Sequence, residues 1–386
     1  MPLALPDFPW DALAPYAERA RAHPDGMVDL SVGSPVDPTP AIIRDALAAA
    51  ADAPGYPQTA GTPALREAIV EWFGRRRGVE LGTANVLPTI GSKEFVAGLP
   101  LFLGLGPGDT VVHPRVAYPS YALGAAVVGA TALAEDDPAR WPDSTRLVWL
   151  NSPGNPDGRV LAIAELRAAV ARARELDAVI ASDECYAELS WAGDGPTPSI
   201  LDPAVIDGSR HNLLAVCSLS KQSNLAGYRA GFVAGCSQVL GQVLGVRKHL
   251  GLMVPAPVQA AMIAALADEA HVDAQRGVYR ARRGVLRDAL EASGYRIDHS
   301  DAGLYLWATK GTSAWDAVGE LADVGILAVP GTFYGDATHV RIALTASDAD
   351  IAAAAGRLET IVPTLEEFSN GTHPRLGGST VDGLAN

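Results

Sequence analysis

A lysine with unusual neighbours offers the clearest chemistry in this sequence. Lys221 lies in the segment 218–231, among hydroxyl residues, glycines and one arginine. The apolar run 213–216 comes just before this segment and predicts a buried strand, so the lysine should stand at a strand end. Burial disfavours the charged form of an amine, and a neutral amine can attack an aldehyde. The segment therefore predicts a Schiff-base lysine, with a surface-loop lysine as the alternative.

An anion site is predicted close to this lysine. Ser218 precedes it and Arg229 follows it, and arginine presents a planar fork of donors that matches phosphate oxygens. A second anion-binding element is predicted at Gly91, Ser92 and Lys93, where a glycine turn opens an apolar helix. The Ser92 hydroxyl and the amide of Lys93 are the expected donors. The alternative for Ser92 is a plain helix N-cap.

Two polar residues follow neighbouring predicted strands. Asp183 comes just after the apolar run 178–181, and Asn155 lies in the polar turn 151–158 that ends the run 147–150. An aspartate at the exit of a buried strand costs free energy unless it has a partner. Asp183 is therefore expected to be partnered. The alternative is a solvated aspartate at a helix start.

Other candidates depend on where their side chains point. Arg341 stands among the apolar residues 340–344, either as an edge-strand arginine facing solvent or as a bidentate carboxylate ligand. Tyr118 and Tyr121, which follow the predicted strand 110–113, are alternative candidates for one aromatic side chain of the site. Gly33 lies in a Gly-Ser-Pro turn and Tyr56 in a loop, where a simple turn and an ordinary loop aromatic are the alternatives.

Strands and helices alternate around these residues. The helix predicted at 163–176 joins the runs 147–150 and 178–181 as in a β-α-β crossover. Short strands predominate after residue 294 and indicate a second, smaller layer.

Composition excludes several classes of protein. The 386 residues are 48% hydrophobic and 19% charged, as in a globular protein of one large or two ordinary domains. A net charge of −14 argues against a general nucleic-acid role. No apolar run predicts a membrane span or a signal peptide, so a cytoplasmic location is expected. The three cysteines do not make a disulfide framework, and no metal site is expected.

Taken together, the motifs resemble those of the class I and II aminotransferases, which are fold-type I enzymes that use pyridoxal 5′-phosphate. The matching motifs are S-x-S-K-x7-R at 218–229, N-x-P-x-N-P-x-G at 151–158, S-D-E-C-Y at 182–186 and Y-x4-G-x3-L-R at 56–66. The resemblance covers residues 28–358. It implies a homodimer with active sites at the subunit boundary, where Tyr56 reaches the phosphate of the neighbouring subunit's cofactor.

The resemblance also implies a role for each candidate. Lys221 would hold the cofactor and move the substrate proton, Asp183 would pair with the ring nitrogen, and Arg341 would grip the substrate carboxylate. Tyr118 would stack on the cofactor ring, with Tyr121 as the competing choice. The implied catalytic residues are Lys221, Asp183 and Tyr186. The implied cofactor-binding residues are Ser92, Lys93, Tyr118, Asn155, Asp183, Tyr186, Ser218, Ser220, Lys221, Arg229 and Tyr56. The implied substrate-binding residues are Gly33, Asn155 and Arg341.

The implied fold is α/β with two domains. A large domain at 40–270 would contain a mostly parallel sheet of the seven-stranded type. A small α/β domain would combine 1–39, including the N-terminal arm, with 271–368. The Gly-, Ser- and Thr-rich segment 369–386 is expected to be a flexible tail.

Several stretches are similar to actinobacterial N-succinyldiaminopimelate aminotransferases, including 8–11, 29–38, 221–231 and 247–255. This similarity implies amino transfer from N-succinyl-L,L-diaminopimelate to 2-oxoglutarate, as in diaminopimelate and lysine biosynthesis. The basic cluster Arg247, Lys248 and His249 is a candidate contact for the donor's distal carboxylates, with a solvated helix end as the alternative. Another aminotransferase, with an aspartate or aromatic donor, or a β-lyase of the same fold, would share every cofactor residue.

Overall fold

The computed structural model describes residues 9–193 and 195–361. The strands, numbered along the chain, are β1 (Val28–Asp29), β2 (Val86–Ile90), β3 (Thr110–His113), β4 (Thr131–Ala134), β5 (Thr145–Asn151), β6 (Val179–Asp183), β7 (Leu213–Ser218), β8 (Ala230–Gly235), β9 (Arg296–Asp298), β10 (Tyr305–Thr309), β11 (Ile326–Leu327), β12 (Val329–Pro330) and β13 (His339–Ala343). The helices are α1 (Ala14–Arg21), α2 (Ala41–Ala49), α3 (Pro63–Trp72), α4 (Gly91–Phe102), α5 (Ser120–Val128), α6 (Ile163–Glu175), α7 (Pro203–Ile206), α8 (Leu219–Gln222), α9 (Ser237–Leu250), α10 (Ala256–Ala267), α11 (Ala270–Ala292), α12 (Ala314–Asp323) and α13 (Asp348–Leu358).

Seven strands of the described chain form one mixed sheet in the order β2-β8-β7-β6-β5-β3-β4. β8 runs antiparallel to both of its neighbours, whereas the pairs β7-β6, β6-β5, β5-β3 and β3-β4 are parallel. Every residue of β7 and β8 is buried, as expected of strands that are covered on both faces. The predicted mostly parallel sheet is confirmed.

The parallel strands bring distant polar residues to one edge of this sheet. β5, β6 and β7 are adjacent, and they end at Asn151, Asp183 and Ser218. The carboxyl ends of parallel strands share an edge, and ligands of open α/β sheets bind in the crevice outside that edge. The order and direction of these strands therefore place the predicted site residues at one edge of the sheet.

A second sheet closes this crevice from the C-terminal part of the chain. Its order is β12-β13-β10-β9, and each pair of neighbours is antiparallel. The short strand β1 pairs in parallel with β11, through Val28 opposite Ile326, so the N-terminal segment lies beside this C-terminal layer. The domain boundaries at 39/40 and 270/271 stay a prediction. The predicted tail at 369–386 lies outside the described residues, and within them no helix is long and apolar enough to cross a bilayer.

Candidate active site

A cavity of about 490 Å³ opens beyond the carboxyl ends of β5, β6 and β7. The predicted site residues that line it are Gly33, Ser92, Lys93, Tyr118, Asn155, Asp183, Tyr186, Ser218, Ser220, Lys221, Arg229 and Arg341. They come from segments more than three hundred residues apart in the sequence, at Gly33 and at Arg341. The structure therefore brings together every predicted site residue except Tyr56.

Lys221 is held in the short helix α8, directly after β7. The Ser218 side chain caps this helix by accepting a hydrogen bond from the backbone N–H of Ser220 at 3.1 Å. The Lys221 ammonium donates to the carbonyl oxygen of Gly33. Burial, and then the guanidinium groups of Arg341 and Arg229, lower the pKa of Lys221. The amine can therefore become neutral, and hence nucleophilic, more easily than an exposed lysine.

Asp183 ends β6 inside the cavity wall. The Tyr121 hydroxyl donates to one of its oxygens at 2.9 Å, and the backbone N–H of Cys185 donates to the other at 3.2 Å. Burial raises the pKa of Asp183, although these hydrogen-bond donors oppose the rise. No lysine or arginine of the described chain is paired with this carboxylate. A buried carboxylate without a lysine or arginine partner fits a cationic ligand atom such as a protonated ring nitrogen.

A second group of cavity residues forms an anion cradle. α4 begins at Gly91, and Ser92 and Lys93 of its first turn line the cavity, while Ser218 and Ser220 supply hydroxyls 2.9 Å apart. The Arg229 guanidinium lies against Gly91, and any side chain at that glycine would collide with it. Hydroxyls, a helix N-terminus and an arginine together fit a phosphate group.

Arg341 lines the same cavity from the second sheet. It stands in β13 between β10 and β12 and is 3% exposed, so the solvent-facing alternative is wrong. Its terminal nitrogens donate to Asn155 Oδ1 at 3.0 Å and to the Ser31 carbonyl at 2.6 Å. Its Nε is buried and has no hydrogen-bond partner among the described residues. An arginine has five N–H donors, so the two hydrogen bonds to Asn155 and Ser31 leave donors for a carboxylate.

The two competing tyrosines have different positions. Tyr121 is buried against Trp149, with 5.3 Å between ring centroids, and its hydroxyl donates a hydrogen bond to Asp183. Tyr118 lies at the cavity mouth, where its hydroxyl accepts a hydrogen bond from Lys93 Nζ at 3.3 Å. Tyr118 therefore remains the candidate for stacking on a ligand ring, and Tyr121 is a supporting group for the carboxylate.

Tyr305 is a cavity residue that the sequence reasoning missed. Its hydroxyl lies 3.3 Å from the Tyr186 hydroxyl, and its ring packs under the Arg341 guanidinium at 4.1 Å from the centroid. A side chain at Gly33 would collide with this hydroxyl, so the glycine is required there by close packing. The apolar neighbours of Tyr305 predict only a buried strand.

Two predictions fall outside the cavity. Tyr56 is 96% exposed and does not reach the cavity of its own chain. Arg247 is fully buried and forms an ion pair with Glu94, so its predicted contact with a substrate is wrong. Lys248 and His249 are exposed at the end of α9 and do not line the cavity, as expected for a solvated helix end.

Similarity to known proteins agrees with this geometry. Residues 25–358 match the family described as aminotransferase class I and II. The chain is 57% identical over 357 residues to the 4-dedimethylamino-4-oxo-anhydrotetracycline transaminase of Streptomyces rimosus, covering 92% of this chain and 99% of that one. It is 54% identical over 359 residues to a probable aminotransferase of Mycobacterium tuberculosis, covering 92% and 85%. Among solved structures, N-succinyldiaminopimelate aminotransferase from Mycobacterium tuberculosis matches with a TM-score of 0.83 and 26% identity, covering 94% and 98%.

Proposed function

The chain belongs to the class I and II aminotransferases, which depend on pyridoxal 5′-phosphate, and we propose that it transfers the free amino group of N-succinyl-L,L-diaminopimelate to 2-oxoglutarate. The products would be N-succinyl-2-amino-6-oxopimelate and glutamate. The family determines the type of reaction. The donor is the new element of the proposal, and the cavity supports it as follows.

The cavity residues fit the cofactor at three points. Ser92, Ser218 and Arg229 suit its phosphate, and the unpaired carboxylate of Asp183 suits its ring nitrogen. Lys221 lies within the same cavity and can bind its aldehyde carbon. When bound, pyridoxal 5′-phosphate supplies an electron sink for the pair released from the substrate Cα–H bond.

The protein residues then share the remaining work. Arg341, which lines the cavity, would bind the α-carboxylate of the donor, and this contact would fix the orientation of the Cα–H bond. Lys221 Nζ would take the proton from Cα and later return it, which requires a pKa near the working pH. Burial lowers the pKa of Lys221 in that direction.

The observation that supports a long, dianionic donor is the position of Lys93. Its side chain is exposed at the cavity mouth, beside Tyr118, whereas Lys221 is half-buried and Arg341 is buried. A donor whose head group binds Arg341 would extend its distal carboxylates outward toward this ammonium. Similarity of several sequence stretches to N-succinyldiaminopimelate aminotransferases supports the same donor.

We also propose a homodimer with shared active sites. Tyr56 is a large aromatic residue that is almost fully exposed in the single chain. Placing it at the cofactor phosphate of the neighbouring subunit would bury it and complete the anion cradle.

A second candidate substrate is favoured by one comparison. The 57% identity to the tetracycline-pathway transaminase of Streptomyces rimosus spans almost all of both chains. In that case glutamate would donate its amino group to a polycyclic ketone, and the cavity mouth would have to admit a flat ring system.

A donor screen tests the proposal. With 2-oxoglutarate fixed, N-succinyl-L,L-diaminopimelate should give a far higher kcat/KM than aspartate, alanine or phenylalanine. If aspartate or an aromatic amino acid gave the higher kcat/KM, the proposed donor would be wrong, whereas the aminotransferase reaction would stand. Glutamate with a 4-oxo-anhydrotetracycline tests the second candidate. Product formation without any keto acid would instead indicate a β-lyase.

A further inference from the structure

The Tyr305 hydroxyl lies beside Gly33, the residue that the amine of Lys221 contacts. Tyr305 is 3% exposed and begins β10, which is paired on both sides in the second sheet. A Cβ at Gly33 would collide with the Tyr305 oxygen, and Gly33 is the residue whose carbonyl accepts the hydrogen bond from Lys221 Nζ. The hydroxyl also meets Tyr186 at 3.3 Å. Tyr305 thus reaches the same residue, Gly33, that the amine contacts.

Lys221 needs such a neighbour because its surroundings oppose a positive charge. Burial disfavours the ammonium, and the guanidinium groups of Arg341 and Arg229 repel it. Asp183 is the one carboxylate among the described cavity-lining residues, and it is held by Tyr121 and by the Cys185 N–H. A lysine that moves a proton must nevertheless hold it between two steps.

We propose that Tyr305 is a positioning residue for Lys221: its hydroxyl oxygen stabilises the protonated amine, which has no carboxylate partner in the cavity. The proton that Lys221 accepts stays on Nζ, and Tyr305 provides the electron-rich oxygen that faces it. This inference rests on the proposed role of Lys221.

The electrostatics of the pair agree with this geometry. Burial disfavours ionisation of Tyr305, yet Arg341, Lys221 and the hydrogen bond from Tyr186 outweigh it and lower the pKa of Tyr305. In turn Tyr305 is the strongest group that raises the pKa of Lys221 against burial. By contrast, burial and the neighbouring Tyr305 raise the pKa of Tyr186.

Other groups around the pair must be considered in any pH experiment. The titratable or charged groups that face it are Arg341 from β13, Arg229 before β8, Cys185 and Tyr186 after β6, Tyr334 after β12 and Tyr279 from α11. Tyr334 is a useful control, because its ring also faces the Arg341 guanidinium, at 5.0 Å, while its hydroxyl has no hydrogen-bond partner in the described chain.

The experiment measures covalent capture of pyridoxal 5′-phosphate by the cofactor-free, full-length protein. After a short reaction at each pH, borohydride fixes the adduct, and peptide mass analysis counts the label on Lys221. The initial rate follows the neutral fraction of the amine. Titration of the cofactor itself is common to all variants and cancels in the comparison.

Tyr305→Phe keeps the ring and removes the oxygen, so the ammonium should be less stable. The acid limb of the capture profile should therefore move to lower pH by about one unit, within the range that a nearby charge produces. Tyr334→Phe should coincide with the wild type. Coincidence of Tyr305→Phe with the wild type, or an equal shift in both variants, overturns the inference.

Tyrosinate absorbance supplies a second, independent measurement. The wild type should contain a tyrosine that ionises below the ordinary value of about 10, and Tyr305→Phe should lack it. Lys221→Met should move this ionisation to higher pH, because a positive neighbour is lost. The inference is overturned if no tyrosine of the wild type ionises below the ordinary value. It is also overturned if such a tyrosine persists in Tyr305→Phe. A label on Lys93 or Lys248 instead of Lys221 would overturn the proposed function as well, whereas an unchanged profile with the label on Lys221 overturns this inference alone.

Discussion

The Tyr121 hydroxyl donates a hydrogen bond to the Asp183 carboxylate, with 2.9 Å between the two oxygens. Tyr121 belongs to α5, and Asp183 ends β6, so the bond joins a helix of one sheet face to a strand end in the cavity. The carboxylate is buried, and a hydrogen bond to its charged form stabilises that form. Tyr121 therefore helps to keep Asp183 ionised opposite the expected ring nitrogen.

Removing this hydrogen bond should weaken catalysis. In Tyr121→Phe the ring keeps its packing against Trp149, but the pKa of Asp183 rises because one stabilising donor is lost. We expect kcat/KM to fall about tenfold, which corresponds to a hydrogen bond to a charged group. The acid limb of the activity profile should move to higher pH. Tyr16→Phe is the control, because Tyr16 does not line the cavity. An unchanged acid limb in Tyr121→Phe would contradict this role.

Removing the charge of Asp183 should have a larger effect. Asp183→Asn keeps the shape of the side chain, so the unfolding midpoint should change little. The cofactor ring nitrogen would lose its anionic partner, and kcat/KM should fall by roughly 10²–10³-fold, as for other charge-stabilising groups. Steady-state kinetics and thermal unfolding of the same preparation measure both effects. Near-normal turnover would place the ring nitrogen elsewhere.

The sequence predicted the cavity well wherever a residue follows a strand. Asn155, Asp183 and Lys221 each follow an apolar run, and parallel strand ends share one edge of a sheet. The cavity lining follows from that rule together with the motif order. Tyr305 could not be found in this way, because its importance depends on contact with Gly33 and Arg341, which are distant in the sequence.

Charge patterns in the sequence were less informative. Arg247, Lys248 and His249 look alike as a basic cluster, but only Arg247 is turned inward, to Glu94 in α4. The distance between these two residues in the sequence hides the ion pair. Lys93 was predicted for its backbone amide, and the structure adds an exposed ammonium at the cavity mouth.

A buried ion pair next to Asp183 should control stability in a pH-dependent way. Arg77 donates to Glu184 at 2.6 Å, and both side chains are almost fully buried. Burial raises the pKa of Glu184, and Arg77 opposes that rise. Without Arg77 the folded-state pKa should rise further above the unfolded value of about 4.3. As the pH rises above the unfolded-state pKa, Glu184 ionises more readily in the unfolded chain than in the folded one, so the free energy of unfolding falls.

Arg77→Met should therefore lose more stability at high pH than at low pH. We expect the free energy of unfolding to fall by about 3–5 kcal/mol at about pH 8 and by less at about pH 5. Arg75→Met is the matched control, since Arg75 belongs to the same segment, is 43% exposed and pairs with the surface residues Glu71 and Glu269. Its loss should stay below about 1 kcal/mol. Urea unfolding at both pH values measures the difference, and equal losses for the two variants would contradict the assignment.

Subunit mixing should reveal the role of Tyr56. In a hybrid of Lys221→Ala and Tyr56→Ala chains, one site combines an intact Lys221 with an intact Tyr56 of the partner subunit. Random exchange of equal amounts should restore about one quarter of wild-type activity, because half of the dimers are hybrids with one intact site each. Either variant alone should remain far below this level. Proven exchange without recovery would place Tyr56 outside the neighbouring site.

The exposed ammonium of Lys93 should select donors with distal negative charge. Lys93→Met keeps the length of the side chain and the backbone amide at the anion cradle, so cofactor content should not change. For N-succinyl-L,L-diaminopimelate we expect kcat/KM to fall about tenfold, which is about 1.4 kcal/mol. Alanine, which has no distal carboxylate, should react as with the wild type.

The wild-type preference should also weaken with added salt, because exposed charges are screened within a Debye length of about 8 Å. Lys248→Met is the matched control, since Lys248 is exposed and does not line the cavity. Equal losses for alanine and the succinylated donor would show that Lys93 supports the site in general and does not select the donor.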